Sequence, residues 1–600
     1  MPSAADYAKM TRALVDVAMG RFPADLVIRG GRWVCVQSGE IVPHTEIAVK
    51  RERIAYVGSD ASHTIGDNTQ IIDAAGRYLV PGLLDGHMHV ESGMVTVTEF
   101  VRAVAPRGTT GMFVDPHEIA NVFGLKGVRL MVDEAQQQPI HVWVQMPSCV
   151  PSAPGLETSG ATIGPEEVAE AMTWDGIIGL GEMMNFPGVF DGDEKMHAEM
   201  AETVAAGKVV GGHYASVNLG LPFHGYVAGG PEDDHEGTRL QDAVARARQG
   251  LKPMLRLGSA WHDVATQIRA ITELGLDPRH FILCTDDSHS GTLVNEGHMD
   301  RVLRHAIAQG LEPITAVQMM TLNPAEHFGV ARDVGQIAPG RYADIVLSES
   351  LPDFQAQVVI ARGALLARDG QLVEEMPAIR YPEWATHSVH LGRELTEADF
   401  RLDAPAGNGS VVANVIGVVE NQAPTRHLQL EVEIVDGQIQ LDTKHDIAEI
   451  ALVERHQGNG EVQVGLVSGF GFDLPCAVAT TVAHDSHHMI VVGTDAADMA
   501  QAANELARVN GGQIVVRGGE VTGLIELPIA GLMSGERAEV VAGKAERVLA
   551  AMRACGCHLN NANMQLSLLA LVVIPDLRIS DKGLVDVNQF DFVPVIAEMG

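Results

Sequence analysis

Between Arg77 and Glu326 short apolar runs recur at Tyr78–Leu84, Thr110–Val114, His141–Gln145, Ile177–Gly181, Lys208–Gly212, Pro253–Leu257 and Phe281–Cys284, with helical patterns between them. Strands that alternate with helices imply parallel βαβ units, because a parallel return needs a long crossover. With a short strand placed before Asp234 the series reaches eight, which predicts an α/β fold built on a (β/α)8 TIM-like barrel. Active sites on that fold lie at the C-terminal ends of the strands, so the residues that follow each run carry the functional reading.

The flanks have a different texture. Ala24–Val34 and Glu46–Val57 alternate like half-buried antiparallel strands, and the pattern returns at Asp344–Leu347 and Ala356–Leu372. Both flanks are read as parts of one small β-sandwich. From about Arg380 strands are expected within Val411–Leu441, and helices at Ala496–Arg508 and Arg537–Cys555. The expected division is therefore 1–76 for an N-terminal helix and the first part of the sandwich, 77–330 for the barrel, 331–379 for the rest of the sandwich, and 380–600 for a separate C-terminal α/β domain. A chain of 600 residues needs more than one core.

A net charge of −35 leaves no basic footprint for a nucleic-acid backbone, and a small neutral or cationic substrate fits better. The six cysteines are scattered and form no disulfide framework. Cys555-Gly-Cys557-His558 looks like half of a metal motif without its second half, so buried thiols are the preferred reading. Met1–Phe22 lacks a signal-peptide core, and the apolar run Leu566–Ile574 is too short to span a bilayer. A cytoplasmic protein without a membrane partner is expected.

The strand ends supply a consistent set of ligands. The first run leads into His87-x-His89, two imidazoles that share one face of a strand. Later ends read Gly179-Leu-Gly-Glu182, Gly211-Gly-His213, Asp233-Asp-His235-Glu236 and Cys284-Thr-Asp286-Asp287. His87, His89, Glu182, His213, His235 and Asp286 make a nitrogen–oxygen site suited to divalent first-row metals, with Mn, Fe and Zn all compatible. Six ligands exceed the need of one tetrahedral ion, and a carboxylate at Glu182 can bridge, so two ions are expected. His224 competes with His235 but lies in an apolar stretch that reads as helix.

These residues, in this order, resemble the amidohydrolase superfamily, as do Val80-Pro-Gly-Leu-Leu-Asp-Gly-His-Met-His89, Thr321-Leu-Asn-Pro-Ala325 and Gly335-Gln-Ile-Ala-Pro-Gly-Arg-Tyr-Ala-Asp-Ile-Val-Leu347. Within it the chain is similar to the adenine deaminases at Val114-Asp-Pro-His-Glu-Ile-Ala-Asn121, Pro147-Ser-Cys-Val-Pro151, Asp234-His-Glu236 and Thr480-Thr-Val-Ala-His-Asp-Ser-His-His488. The resemblance implies hydrolysis of adenine to hypoxanthine and ammonia by a metal-bound hydroxide, in a homo-oligomer such as a dimer. Asp286 would carry the proton from nucleophile to leaving amine, and Asp287 would accept from a purine ring N–H. Glu118 would contact the purine or protonate its ring, a role that Glu236 can also fill. Many superfamily members bridge their metals with a modified lysine where this chain has Glu182, a departure from the cyclic-amide hydrolases. The alternatives are such a hydrolase, or a deaminase of another aminated purine or heterocycle, including a mononuclear deaminase of a nucleoside. A non-catalytic scaffold would be expected to lose ligands. Asp115 and His117 are read as shaping their loop. His484, Asp485, His487 and His488 are read as a polar turn before Met489–Gly493, with capping of the active site, service to a neighbouring subunit or a second metal site as the other options.

Overall fold

A computed structural model describes residues 4–259, 261–404, 407–420 and 422–597. The centre is built on parallel strands: β1 (Leu83–His89), β2 (Thr109–Val114), β3 (His141–Met146), β4 (Ile177–Met183), β5 (Val209–Gly212), β6 (Asp233–Asp234), β7 (Lys252–Arg256), β8 (Ile282–Cys284) and β9 (Asp286–Asp287). A curled six-stranded sheet runs β5-β4-β3-β2-β1-β9, and a three-stranded sheet runs β6-β7-β8. Thr285 interrupts one chain segment between β8 and β9, so that β8 pairs with β7 while β9 pairs with β1. Every residue of β1 to β5 is buried, as expected of parallel strands covered on both faces.

The expected strand Tyr78–Leu84 is two strands. Tyr78–Pro81 belongs to the flanking sheet, and β1 starts only after Gly82. A Cβ on Gly82 would lie 1.9 Å from Thr110 Oγ1, so the junction requires glycine. Tyr78–Pro81 pairs in parallel with Leu26–Cys35 and antiparallel with Ile345–Ser348. The two flanks therefore join edge to edge in one nine-stranded sheet, not only face to face. Leu26, Ile28, Ile47, Ile345 and Leu347 from both flanks share one apolar cluster.

A second nine-stranded sheet, with helices Ala496–Arg508 and Ala538–Arg553, lies in the C-terminal part. It packs closely against the central strands. Val97, Phe100 and Val101 near the central parallel strands share a buried cluster with Leu527, Leu532 and Val541. The Ser534 N–H also donates to the Met94 carbonyl at 2.9 Å. Apolar surface on both parts is removed from water only by this packing. No described helix is long and apolar enough to cross a membrane.

The loop between Ala477–Thr480 and Met489–Gly493 is pinned from below by Arg455, which is fully buried. Its guanidinium donates to the His487 carbonyl at 2.5 Å, to Ser388 O at 3.2 Å and to Ala530 O at 3.1 Å. Arg455→Met should leave three carbonyls without partners and cost on the order of 3 kcal/mol or more, read as a lower denaturant midpoint; an unchanged midpoint would show that the loop does not depend on Arg455.

Candidate metal and substrate site

The rim formed by the C-terminal strand ends gathers the expected side chains around Glu182, which ends β4. Glu182 Oε2 lies 2.9 Å from His235 Nε2 and 3.7 Å from His87 Nε2. Its Oε1 lies 3.2 Å from His117 Nδ1 and 4.0 Å from His89 Nε2. Asp286 Oδ1 is 3.1 Å from His89 Nε2 and 3.8 Å from His87 Nε2. The His87 ring stacks on that of His235 with centroids 4.0 Å apart. All these groups are buried.

The donors suit divalent cations. Two ligands of one ion, each about 2.1 Å from it, sit roughly 3–3.6 Å from each other, close to the spacings seen here. His87 Nε2 and His117 Nδ1 are buried without a hydrogen-bond partner, although both face carboxylate oxygens. Burial, then His235 and His89, keeps His87 well below the usual histidine range, and burial with His89 takes His117 down to about 3. Both rings are therefore neutral and offer a lone pair. Burial works to raise Glu182, but His213, His235 and His89 outweigh it and hold the carboxyl well below its usual range. Three donor groups recur: His87, Glu182 and His235; His87, His89 and Asp286; and His89, His117 and Glu182.

His213 stands slightly apart, with Nε2 3.4 Å from Glu236 Oε1 and its ring 5.2 Å from that of His235. His224 is exposed on helix Leu221–Gly229. A supporting layer aims the ligands. His89 Nδ1 bonds the Asp115 carbonyl at 2.8 Å, and Asp115 Oδ2 accepts the Glu182 N–H at 2.8 Å. Asp115 thus does more than shape its loop. Asp286 has a left-handed backbone, φ +61°, which is strained for a non-glycine residue and recurs at functional positions.

A cavity of about 950 Å3 opens over this cluster. His89, Glu182, Asp286, Asp287 and Glu236 line its floor, and Leu571, Ile574 and Phe590 of the C-terminal domain line its mouth. Asp287 is a committed acceptor: Ser92 Oγ donates to it, and Trp261 Nε1 donates at 3.4 Å. Burial opposes its charge, but His89 and His484 hold the carboxyl below its usual range. Glu236 is likewise ionised, because Arg256 and His213 overcome burial and keep it well below the usual range. An ionised carboxyl suits Glu236 to accepting a hydrogen bond from the substrate. Glu118 is the opposite case: burial and then Glu91 push it well above the usual range. It lies behind the cavity wall, 3.4 Å from Ser92 Oγ and 3.9 Å from His484 Nδ1.

Three contributors escaped the sequence reading. His117 heads the helix His117–Phe123 just beyond β2, so the rule of strand ends covered it, yet it was read as a loop former. Arg256 ends β7 and donates to Asp286 Oδ2 at 3.0 Å and to Glu236; as a cation it drew no notice in a search for ligands. The loop His484–His488 is buried, not a solvated turn, because the C-terminal domain packs over the rim. His484 and Asp485 reach the cavity wall. Cys555 and Cys557 are buried free thiols.

Residues 78–366 match the family model described as "Amidohydrolase family", and residues 422–591 match "Adenine deaminase C-terminal domain". "Adenine deaminase 3" of Rhizobium meliloti (strain 1021) is 63% identical over 98% of this chain and 99% of its own length. "Adenine deaminase" of Mesorhizobium japonicum is 62% identical over 98% of this chain and 97% of its own. "Adenine deaminase" of Moorella thermoacetica is 50% identical over 99% of this chain and 100% of its own. Similarity of that degree, sustained from end to end and across both domain types, means that the chain belongs to the adenine deaminase family.

Proposed function

We propose that this chain hydrolyses adenine to hypoxanthine and ammonia at a centre of two divalent first-row metals, Mn or Fe in the first place and Zn as a further option. The observation that carries the reading is its full-length likeness to curated adenine deaminases. The buried nitrogen–oxygen cluster around Glu182 supports it. His87, His89, Glu182, His235 and Asp286 would hold the ions, with His213 and His117 as outer ligands. We also take the two parallel sheets as one eight-stranded barrel, with β8 and β9 counted as a single strand. The Glu232 N–H donates to the Val210 carbonyl at 2.9 Å across the remaining seam, which supports closure. Six free cysteines agree with a reducing, cytoplasmic setting.

When bound, the metals supply Lewis acidity that lowers the pKa of water and polarises the substrate. The chain's own groups move the protons. Arg256 fixes Asp286 Oδ2, which leaves Oδ1 facing the imidazoles. There Asp286 takes the proton of the water that adds to the amine-bearing ring carbon, and returns it to the departing amine. Ionised Asp287 orients the purine by accepting from a ring N–H. Glu118, kept protonated by burial and by Glu91, is the proton reserve for the ring nitrogen, relayed past Ser92. The two carboxyl groups differ in protonation because their surroundings push them apart, a pattern of acid–base sites.

Metal-free protein loaded separately with Mn, Fe and Zn should release ammonia from adenine with at least one of them; failure with all three, or ring opening of dihydroorotate or a hydantoin instead, would overturn the assignment. Glu182→Gln should reduce bound metal from roughly two equivalents to one or fewer, as measured by elemental analysis, since the shared ligand is lost; full occupancy would remove Glu182 as a bridge. Asp286→Asn should lower kcat about 10³-fold or more. Turnover near the wild-type rate would exclude Asp286 as the proton carrier.

A further inference from the structure

Asp485 belongs to the C-terminal domain, yet its side chain is 4% exposed and faces the barrel site. Its Oδ1 lies 3.8 Å from His117 Nε2 and 3.7 Å from His484 Nδ1, beyond hydrogen-bond range of both, and its Oδ2 is buried without a hydrogen-bond partner. The His117 ring thus stands between two carboxylates on opposite domains: Glu182 beyond Nδ1 at 3.2 Å, and Asp485 beyond Nε2. A neutral imidazole carries a single proton. If the Nδ1 lone pair serves a cation, that proton is on Nε2, and Asp485 is the carboxylate within 4.0 Å of Nε2 among the described residues.

We propose that Asp485 is a positioning residue: with the metal centre loaded, its carboxylate, now 3.8 Å away, would close on the Nε2 proton of His117 and so keep Nδ1 turned toward the Glu182 side. The inference rests on the reading of His117 as a metal-facing imidazole. Imidazole ligands commonly give their second N–H to a carboxylate, which fixes tautomer and ring direction. The unusual element here is the source of that carboxylate. It arrives from a domain outside the barrel, on a loop whose backbone Arg455 secures at the His487 carbonyl. A plain ion pair between the domains is the rival account.

The test uses the full-length protein, stripped of metal and titrated with Mn2+ against a chelating indicator, for the wild type, D485N, D485E, H117Q and the double variant H117Q/D485N. An asparagine amide can donate to Nε2 and so favours the wrong tautomer. D485N should therefore weaken one Mn2+ equivalent by about 10–100-fold. D485E should recover part of that loss. The double variant should be no weaker than H117Q alone, because both changes act through one ring. Wild-type Mn2+ affinity in D485N beside weakened H117Q would overturn the positioning role only. Wild-type affinity in H117Q would remove the ligand reading beneath it. If D485N also lowers the thermal stability of the metal-free protein, the cycle still decides: additive losses refute the proposal, and non-additive losses support it.

Discussion

A buried carboxylate is tolerable only if other groups compensate its charge, and Glu182 is where this molecule meets that requirement. Imidazoles from β1, from the segment after β2 and from the segment after β6 converge on its two oxygens. They can do so because parallel strands share one polarity, so all their C-terminal ends reach the same rim. The backbone takes part as well, with the Glu182 N–H bonded to Asp115. One charge therefore ties together chain segments that have no sequence proximity. The neutral rings of His87 and His117, whose lone pairs face the same carboxylate, make the rim receptive to cations.

The C-terminal domain turns this open rim into an enclosed site. Its sheet shares a buried core with the barrel segments, and its apolar side chains Leu571, Ile574 and Phe590 frame the cavity mouth. Charged groups under such a cover interact more strongly than they would in water. That is why neighbouring carboxyl groups take opposite states. Glu236 stays ionised against Arg256, whereas burial and Glu91 outweigh His89 at Glu118 and push its carboxyl well above the usual range. Arg256 does two jobs at once, because the guanidinium that stabilises Glu236 also orients Asp286.

Much of the fold was legible because covered parallel strands are written as uninterrupted apolar runs. The helices observed at Ala496–Arg508 and Ala538–Arg553 also lie where their periodicity put them. Most residues that gather around Glu182 were legible for a related reason: a polar residue directly after such a run has few structural explanations. What escaped needed three dimensions. The break at Gly82 leaves no polar mark, since both strands around it are apolar. His484 and Asp485 read as surface because polarity usually means water, and only the packing of a distant domain buries them. Glu118 and Glu236 are the same letter in the sequence, and their different protonation follows from the neighbours that the fold assigns.

The interruption at Thr285 places Asp286 on the short strand that joins β8 to β1, with the Thr285 hydroxyl and N–H held by Asp85 of β1. The last carboxylate of the cluster thus arrives on the final segment of the parallel array, after every other strand has been made. A chain emerging from the ribosome carries His87 and His89 for some two hundred residues of synthesis before Asp286 can meet them. During that interval the paired histidines lack the carboxylate that lies 3.1 Å from His89 in the finished protein. Closure of the rim is thereby deferred until the last strand of the array is in place, so the cluster is a product of the completed fold and of no single segment.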